Sequence, residues 1–260
     1  LYNELYEIFY PSKKQKKQLK TTGSQLNIRA LFNFISARKA GAKDIPAKIW
    51  EAKTTPEVRD YAFMILIDLS GSMQRTDYYN SISPIKESLK ALIAVSESLN
   101  RLGIKLEIVG FGSIENYDDQ GLYRDENEEI ITLKSIEDEM TDEIREKLTT
   151  VLNADGTTPT TKALKHAKDR MNSIQAANKF ITVLTDGAPD YFSDAKEQAE
   201  IIESTPDIGL LGLGIGSNTR RIEDLFSHSK GEIKIDELTD VLTELIVELI
   251  KNPTSTKTRD

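Results

Sequence analysis

Seven apolar residues in unbroken succession, Tyr61 to Ile67, with an acid directly after them at Asp68, constrain this chain more than any other feature. Such a run suits a strand buried on both faces of a parallel sheet, with helices covering it on either side. Beyond it the polar residues alternate as Asp68, Ser70 and Ser72, and Gly71 permits a tight backbone path between the serines. Asp-x-Ser-x-Ser at a strand end sets three hard oxygen donors on one loop. That donor set suits Mg²⁺ or another hard divalent ion rather than a soft one. The alternative is a polar strand-to-helix loop whose serines do no more than cap a helix.

The rest of the chain alternates in the same style. Ser83-Pro84 reads as a helix start, and Leu89, Leu92, Ile93, Ser96 and Leu99 give that helix an inward face that ends at Gly103. Strands are expected at 104–111 and 129–134, with an acidic loop between them that holds Glu115, Asp118, Asp119, Asp125, Glu126 and Glu128. Helices follow over about 141–152 and 160–174, a strand over 180–185, a helix over 194–204 and a strand over 208–215. A short helix at 220–226, a short strand at 233–235 and an amphipathic helix over 236–251 complete the pattern. This order predicts an α/β fold: a doubly wound, mostly parallel central sheet flanked by helices. The expected organisation is a basic, mainly helical extension over 1–55, the α/β domain over 56–252 and a flexible tail over 253–260. In the extension, Ile28, Leu31, Phe32 and Ile35 recur at helical spacing, and Lys13, Lys14, Lys16, Lys17 and Lys20 form a run best read as a solvated linker or helix face.

In doubly wound sheets, ligands bind outside the carboxyl ends of the strands. Three polar segments fall there: the Asp68 loop, Thr158 in a Gly-Thr-Thr-Pro turn that opens a helix, and Asp186 in Leu184-Thr185-Asp186-Gly187 after an apolar strand. Thr158 alone is explained as a helix cap and Asp186 alone as a turn former. Together the segments supply two carboxylates and three hydroxyls, which points to an ion site. Asp155, Asp190 and Asp194 lie near these segments in sequence and are candidates for the outer shell of that site.

Composition narrows the alternatives. The absence of cysteine excludes disulfides, thiol catalysis and cysteine-ligated zinc. A net charge of −8 argues against general binding to nucleic acid, and no apolar stretch is long enough to span a membrane. His166 and His228 are far apart and read as surface or helix-end residues, and no histidine stands near Ser70 or Ser72 in sequence to activate either. Gly212, Gly214 and Gly216 follow a late strand without the acid that a dinucleotide fingerprint needs, so they read as a strand end.

Asp68-x-Ser70-x-Ser72, Thr158 and Thr185-Asp186-Gly187 resemble the metal-ion-dependent adhesion site of von Willebrand factor type A (VWA) domains, over roughly residues 60–250. Within that superfamily Leu106–Phe111, Asp186–Pro189, Leu211–Gly216 and Ile235–Leu238 are similar to the carboxyl-terminal domain of the cobaltochelatase T-type subunit. The Thr158 loop instead resembles that of magnesium-chelatase-like, AAA+-associated domains. The resemblance implies that Asp68, Ser70, Ser72, Thr158 and Asp186 bind Mg²⁺, with Mn²⁺ or Ca²⁺ as substitutes. It further implies a protein partner that donates an acidic side chain to the ion and an AAA+ ATPase as neighbour; the net charge argues against a nucleic-acid partner, and no nucleophile–base pair or cofactor loop marks the chain as an enzyme by itself. The expected function is therefore the VWA-bearing subunit of a cytoplasmic, AAA+-driven chelatase or metalloenzyme-maturation complex. An adhesion or receptor domain for an extracellular protein is the alternative.

Overall fold

The computed structural model of the chain describes residues 2–9, 18–22, 25–43, 45–52, 60–74, 83–117, 123–150 and 156–251. Lys13, Lys14, Lys16, Lys17, Asp118, Asp119, Asp155 and the tail expected over 253–260 lie outside these residues. The chain divides into a larger unit, Leu1–Ile8 with Asp60–Asp260, and a smaller one, Phe9–Arg59.

Helix α1 (Tyr2–Phe9) opens the chain. The smaller unit then holds strands β1 (Gln18–Lys20) and β2 (Gln25–Leu26), helix α2 (Ile28–Lys39) and strand β3 (Trp50–Ala52). The strands form an antiparallel sheet in the order β1-β3-β2, with Trp50 opposite both Lys20 and Leu26. Strands of two or three residues are too short to display a period, so this sheet adds to the mainly helical extension that the sequence predicts. Asn27 starts α2 by accepting the Ala30 N–H at 2.9 Å, and Arg38 and Lys39 in the last turn complement the helix dipole. The apolar stripe expected on this helix is present, but no residue of α2 is buried.

In the larger unit the apolar run forms β4 (Tyr61–Asp68), buried at all eight positions. The elements after it are α3 (Pro84–Arg101), β5 (Lys105–Tyr117), β6 (Tyr123–Lys134), α4 (Asp142–Thr150), α5 (Thr160–Ser173) and β7 (Asn178–Thr185). Then come α6 (Phe192–Glu203), β8 (Ile208–Ile215), α7 (Ile222–Leu225), β9 (Ser229–Ile233) and α8 (Leu238–Lys251). The six strands lie in the order β6-β5-β4-β7-β8-β9, all parallel to their neighbours except the β5–β6 pair. This is the doubly wound α/β sheet the alternation predicts. The acidic segment expected as a loop over 115–128 is corrected: β5 runs on to Tyr117 and β6 begins at Tyr123, so most of it is paired strand. The backbone ladder sets this pairing, and a strand rich in acids carries no apolar alternation to announce it. The short strand expected at 233–235 lies earlier, at Ser229–Ile233.

Side chains alternate between two cores, as strand geometry requires. Ala62, Met64 and Leu66 of β4 pack with Ala163, Leu164 and Ala167 of α5 and with Ala195 and Ala199 of α6. Phe63 points to the other face and stacks on Phe180 of β7, with ring centroids 4.9 Å apart. Truncating a buried leucine such as Leu66 to alanine costs about 2–5 kcal/mol in a core of this kind. Gly212 in β8 is the reverse case: a Cβ there would stand 2.1 Å from Cδ2 of Phe226, so only glycine lets that ring close over the sheet. The glycines 212 and 214 thus lie inside a strand, with Gly216 just past its end at φ +83°.

Buried charges cluster at the amino end of the sheet. Glu107 of β5 accepts three N–H bonds of 2.9–3.1 Å from Arg170, near the end of α5, and one of 3.3 Å from Ile136. Lys134 ends β6 and donates to the carbonyls of Leu106 (2.8 Å), Ser135 (3.1 Å) and Asp138 (2.8 Å). The Arg170–Glu107 bonds anchor α5 by the end opposite to Thr158.

Candidate metal centre

Strand order reverses at β4: the chain goes from β4 outward to β5 and β6, then returns to place β7 on the other side of β4. The crevice outside a doubly wound sheet opens at such a point. Asp68 ends β4 and Asp186 directly follows β7, so the reversal brings two carboxylates to neighbouring strand ends. Ser72 completes the link, donating its hydroxyl to Asp186 Oδ1 at 2.6 Å. Ser70 Oγ stands 3.1 Å from Ser72 Oγ, and the Ser70 N–H donates to Asp68 Oδ1 at 2.8 Å.

Thr158 arrives on a separate loop at the start of α5, and main-chain bonds tie the loops together. The Gly71 N–H donates to the Gly156 carbonyl at 3.3 Å, and the Asp190 N–H donates to the Thr158 carbonyl at 3.2 Å. The Thr158 N–H in turn donates to Asp190 Oδ1 at 3.0 Å. Thr158 is only 7 % exposed, and its hydroxyl makes no hydrogen bond among the described residues. A threonine hydroxyl on a cavity wall, in a loop tied to two carboxylate-bearing loops, is a donor of the kind a hard cation takes. The sequence-derived candidates Asp68, Ser70, Ser72 and Asp186 form one bonded cluster, and Thr158 sits on a loop fastened to it. Asp190 shapes the Thr158 loop, whereas Asp194 is an exposed residue in the first turn of α6. A cavity of about 260 Å³ adjoins Thr158, lined among others by Lys165, Tyr191 and Asp194.

Thr185 was missed as a functional residue. Its hydroxyl donates to Asp68 Oδ2 at 2.5 Å and accepts the Gly187 N–H at 3.1 Å, so it orients the carboxylate while that amide holds it in place. It stood in plain view in the Thr-Asp-Gly motif, but a threonine at the end of an apolar strand reads as strand propensity alone. His166 is also corrected from a surface residue: it is half-buried, with Nε2 unpartnered.

Burial pushes the Asp68 carboxyl up to about 7. Hydrogen bonds from Thr185 and Ser70 oppose that rise, and the neighbouring Asp186 charge adds to it. Among the described residues no group of three or more His, Cys, Asp or Glu side chains is arranged to hold a metal ion, so the cluster is a hydroxyl-rich site with two carboxylates. Such donors are hard, few of them are charged, and an ion they held would keep positive charge for a further ligand.

A family model for the von Willebrand factor type A domain matches residues 63–248. The chain belongs to the VWA family. No match was found among curated proteins. Solved structures with the VWA fold include proximal thread matrix protein 1 from the mussel byssus, at 16% identity over 74% of this chain and 47% of that one, TM-score 0.54. The pilus adhesin SpaC from Lactobacillus rhamnosus GG matches at 14% identity over 77% of this chain and 32% of its own, TM-score 0.56. A von Willebrand factor type A protein from Catenulispora acidiphila matches at 16% identity over 74% and 43%, TM-score 0.51. This chain spans about half or less of the length of each, and at these identities the likeness is one of fold. VWA domains are protein-interaction modules, and no described helix is long and apolar enough to cross a membrane.

Proposed function

We propose that this VWA chain is a Mg²⁺-dependent protein-interaction module. In this reading Asp68, Ser70, Ser72, Thr158 and Asp186 hold the ion, Mn²⁺ or Ca²⁺ can replace it, and a partner's carboxylate completes the coordination. The observation that carries the reading is the bonded cluster of Asp68, Ser70, Ser72 and Asp186, with the Thr158 loop tied beside it by main-chain bonds, at the point where strand order reverses. Bound there, the ion would supply positive charge toward the partner. The chain's own residues orient the donors: Thr185 and the Ser70 amide set Asp68, Ser72 sets Asp186, and Asp190 sets the Thr158 loop.

We further propose that the partner belongs to an AAA+-driven chelatase or metalloenzyme-maturation assembly in the cytoplasm. The support for this is the likeness of Leu106–Phe111, Leu211–Gly216 and the Thr158 loop to cobaltochelatase and magnesium-chelatase-like sequences. The alternative is an adhesion or receptor module for an extracellular protein, since a pilus adhesin shares this fold. Pull-down of the tagged chain with Mg²⁺ and with chelator separates them. Chelator-sensitive capture of an AAA+ ATPase is expected, and capture indifferent to chelator would remove the ion from the interaction. Chelator-sensitive binding to a surface protein with no ATPase would favour adhesion.

A further inference from the structure

The two units of the chain carry opposite charge. Residues 9–59 hold 12 lysines and arginines against three acids, a net +9, so the remainder carries −17 to reach the overall −8. The smaller unit also leaves its apolar residues uncovered. Ile28 is 67 % exposed, Phe32 68 % and Ile35 42 % along one stripe of α2, and Leu19, Leu26 and Ile45 are each more than a third exposed. No residue between 19 and 50 whose burial is described is buried. Arg29, Arg38 and Lys39 are exposed on the same helix, which has no acid. Units of about 60 residues or fewer bury too little surface to be more than marginally stable alone. A uniformly basic one with an open apolar stripe is suited to a covering surface that is acidic and partly apolar.

We propose that the exposed face of α2 docks onto the acidic α/β unit of a second copy of this chain. Charge complementarity selects that occupant, because the acidic counterpart is part of the molecule itself. It also offers exposed apolar contact: α1 shows Tyr2 at 37 % and Tyr6 at 48 % exposure, and its only charged residues are Glu4 and Glu7. A nucleic acid fits less well, since the stripe is mainly aliphatic where base stacking requires aromatic faces. An anionic bilayer would attract the smaller unit but repel the −17 of the larger one. Docking of unlike surfaces closes reciprocally in a two-fold dimer or propagates head to tail into a ring or an open chain of copies.

Sedimentation of the full chain over a concentration series tests this, at ionic strengths where the screening length is about 30 Å and about 3 Å. Concentration-dependent association is expected at low salt, weakened at least about tenfold at high salt. The I28S/F32S variant should stay monomeric at both, with unchanged circular dichroism, and R29E/R38E should lose the low-salt association. A wild type that is monomeric throughout would overturn the proposal, and so would association that survives I28S/F32S. A chain that stays monomeric yet floats with phosphatidylserine vesicles through α2 would assign the face to lipid instead.

Discussion

The two ends of the central sheet handle buried charge in opposite ways. At the amino end Glu107 is 2 % exposed and Lys134 3 % exposed, and each is answered by the protein itself. Arg170 grips both oxygens of Glu107, and three carbonyls receive the Lys134 ammonium. Burial pulls Lys134 below its usual range, while Asp138, Glu107 and Glu137 draw it back. At the carboxyl end Asp68 is fully buried, yet its neighbours are hydroxyls, an amide and a second carboxylate. Burial, with the Asp186 charge added to it, lifts this acid to about 7. Lone buried charges are costly, so the contrast separates a closed structural lock from a site suited to an ion supplied from outside.

The severest way to break this contrast is at the lock. Arg170→Ala leaves Glu107 buried without its cation, a loss of about 3–5 kcal/mol that a urea midpoint measures directly. A loss below about 1 kcal/mol would show that Glu107 does not depend on the pair. At the other end the ion should do the stabilising: Mg²⁺ at about 100 times its dissociation constant should add about 2.7 kcal/mol to thermal stability. Asp68→Asn should abolish that gain and leave the ion-free protein no less stable, because it removes a buried acid. A variant that still gains from Mg²⁺ would remove Asp68 from the site.

The acid's raised value fixes a sign with pH. Between 3.8 and about 7 the folded protein holds a proton on Asp68 that the unfolded chain has released. Ion-free stability therefore falls as pH rises through that window, by up to about 1.4 kcal/mol per pH unit, while Mg²⁺ affinity rises because the ion must displace the proton. Calorimetric titration at pH 6 and 8 checks this; affinity equal at both would contradict it. The smallest stability effect belongs to Thr158→Ala, within about 0.5 kcal/mol of wild type because its hydroxyl bonds to nothing among the described residues. Partner binding in Mg²⁺ should nonetheless weaken about tenfold, 1.4 kcal/mol, and a larger loss of stability than of binding would make the ion purely structural.

Much of the carboxyl end was legible in the sequence, because its chemistry lies in short contiguous motifs attached to two apolar strands, β4 and β7. Asp68, Ser70 and Ser72 fall within five residues of one another, and Asp186 sits against Gly187. The lock was invisible: Glu107 and Arg170 are 63 residues apart and each reads as an ordinary surface charge. The β5–β6 extension escaped for a related reason, since main-chain bonding does not register in side-chain periodicity. Thr185 shows a third kind of miss, a residue inside a recognised motif whose role lies in what it does to another side chain.

The β5–β6 ribbon outruns the strand beside it. Asp68 lies in register with Phe111, and beyond that point β5 continues six residues to Tyr117, paired only with β6. At about 3.4 Å per residue this carries the two-stranded ribbon roughly 20 Å beyond the strand end that bears Asp68. The proposed ion site therefore has a long projection on the β5 side of β4 and none of that length on the β7 side, where β7 stops at Thr185. A partner drawn to the ion would meet an asymmetric surface, and shortening the hairpin should change its association rate if it touches that projection.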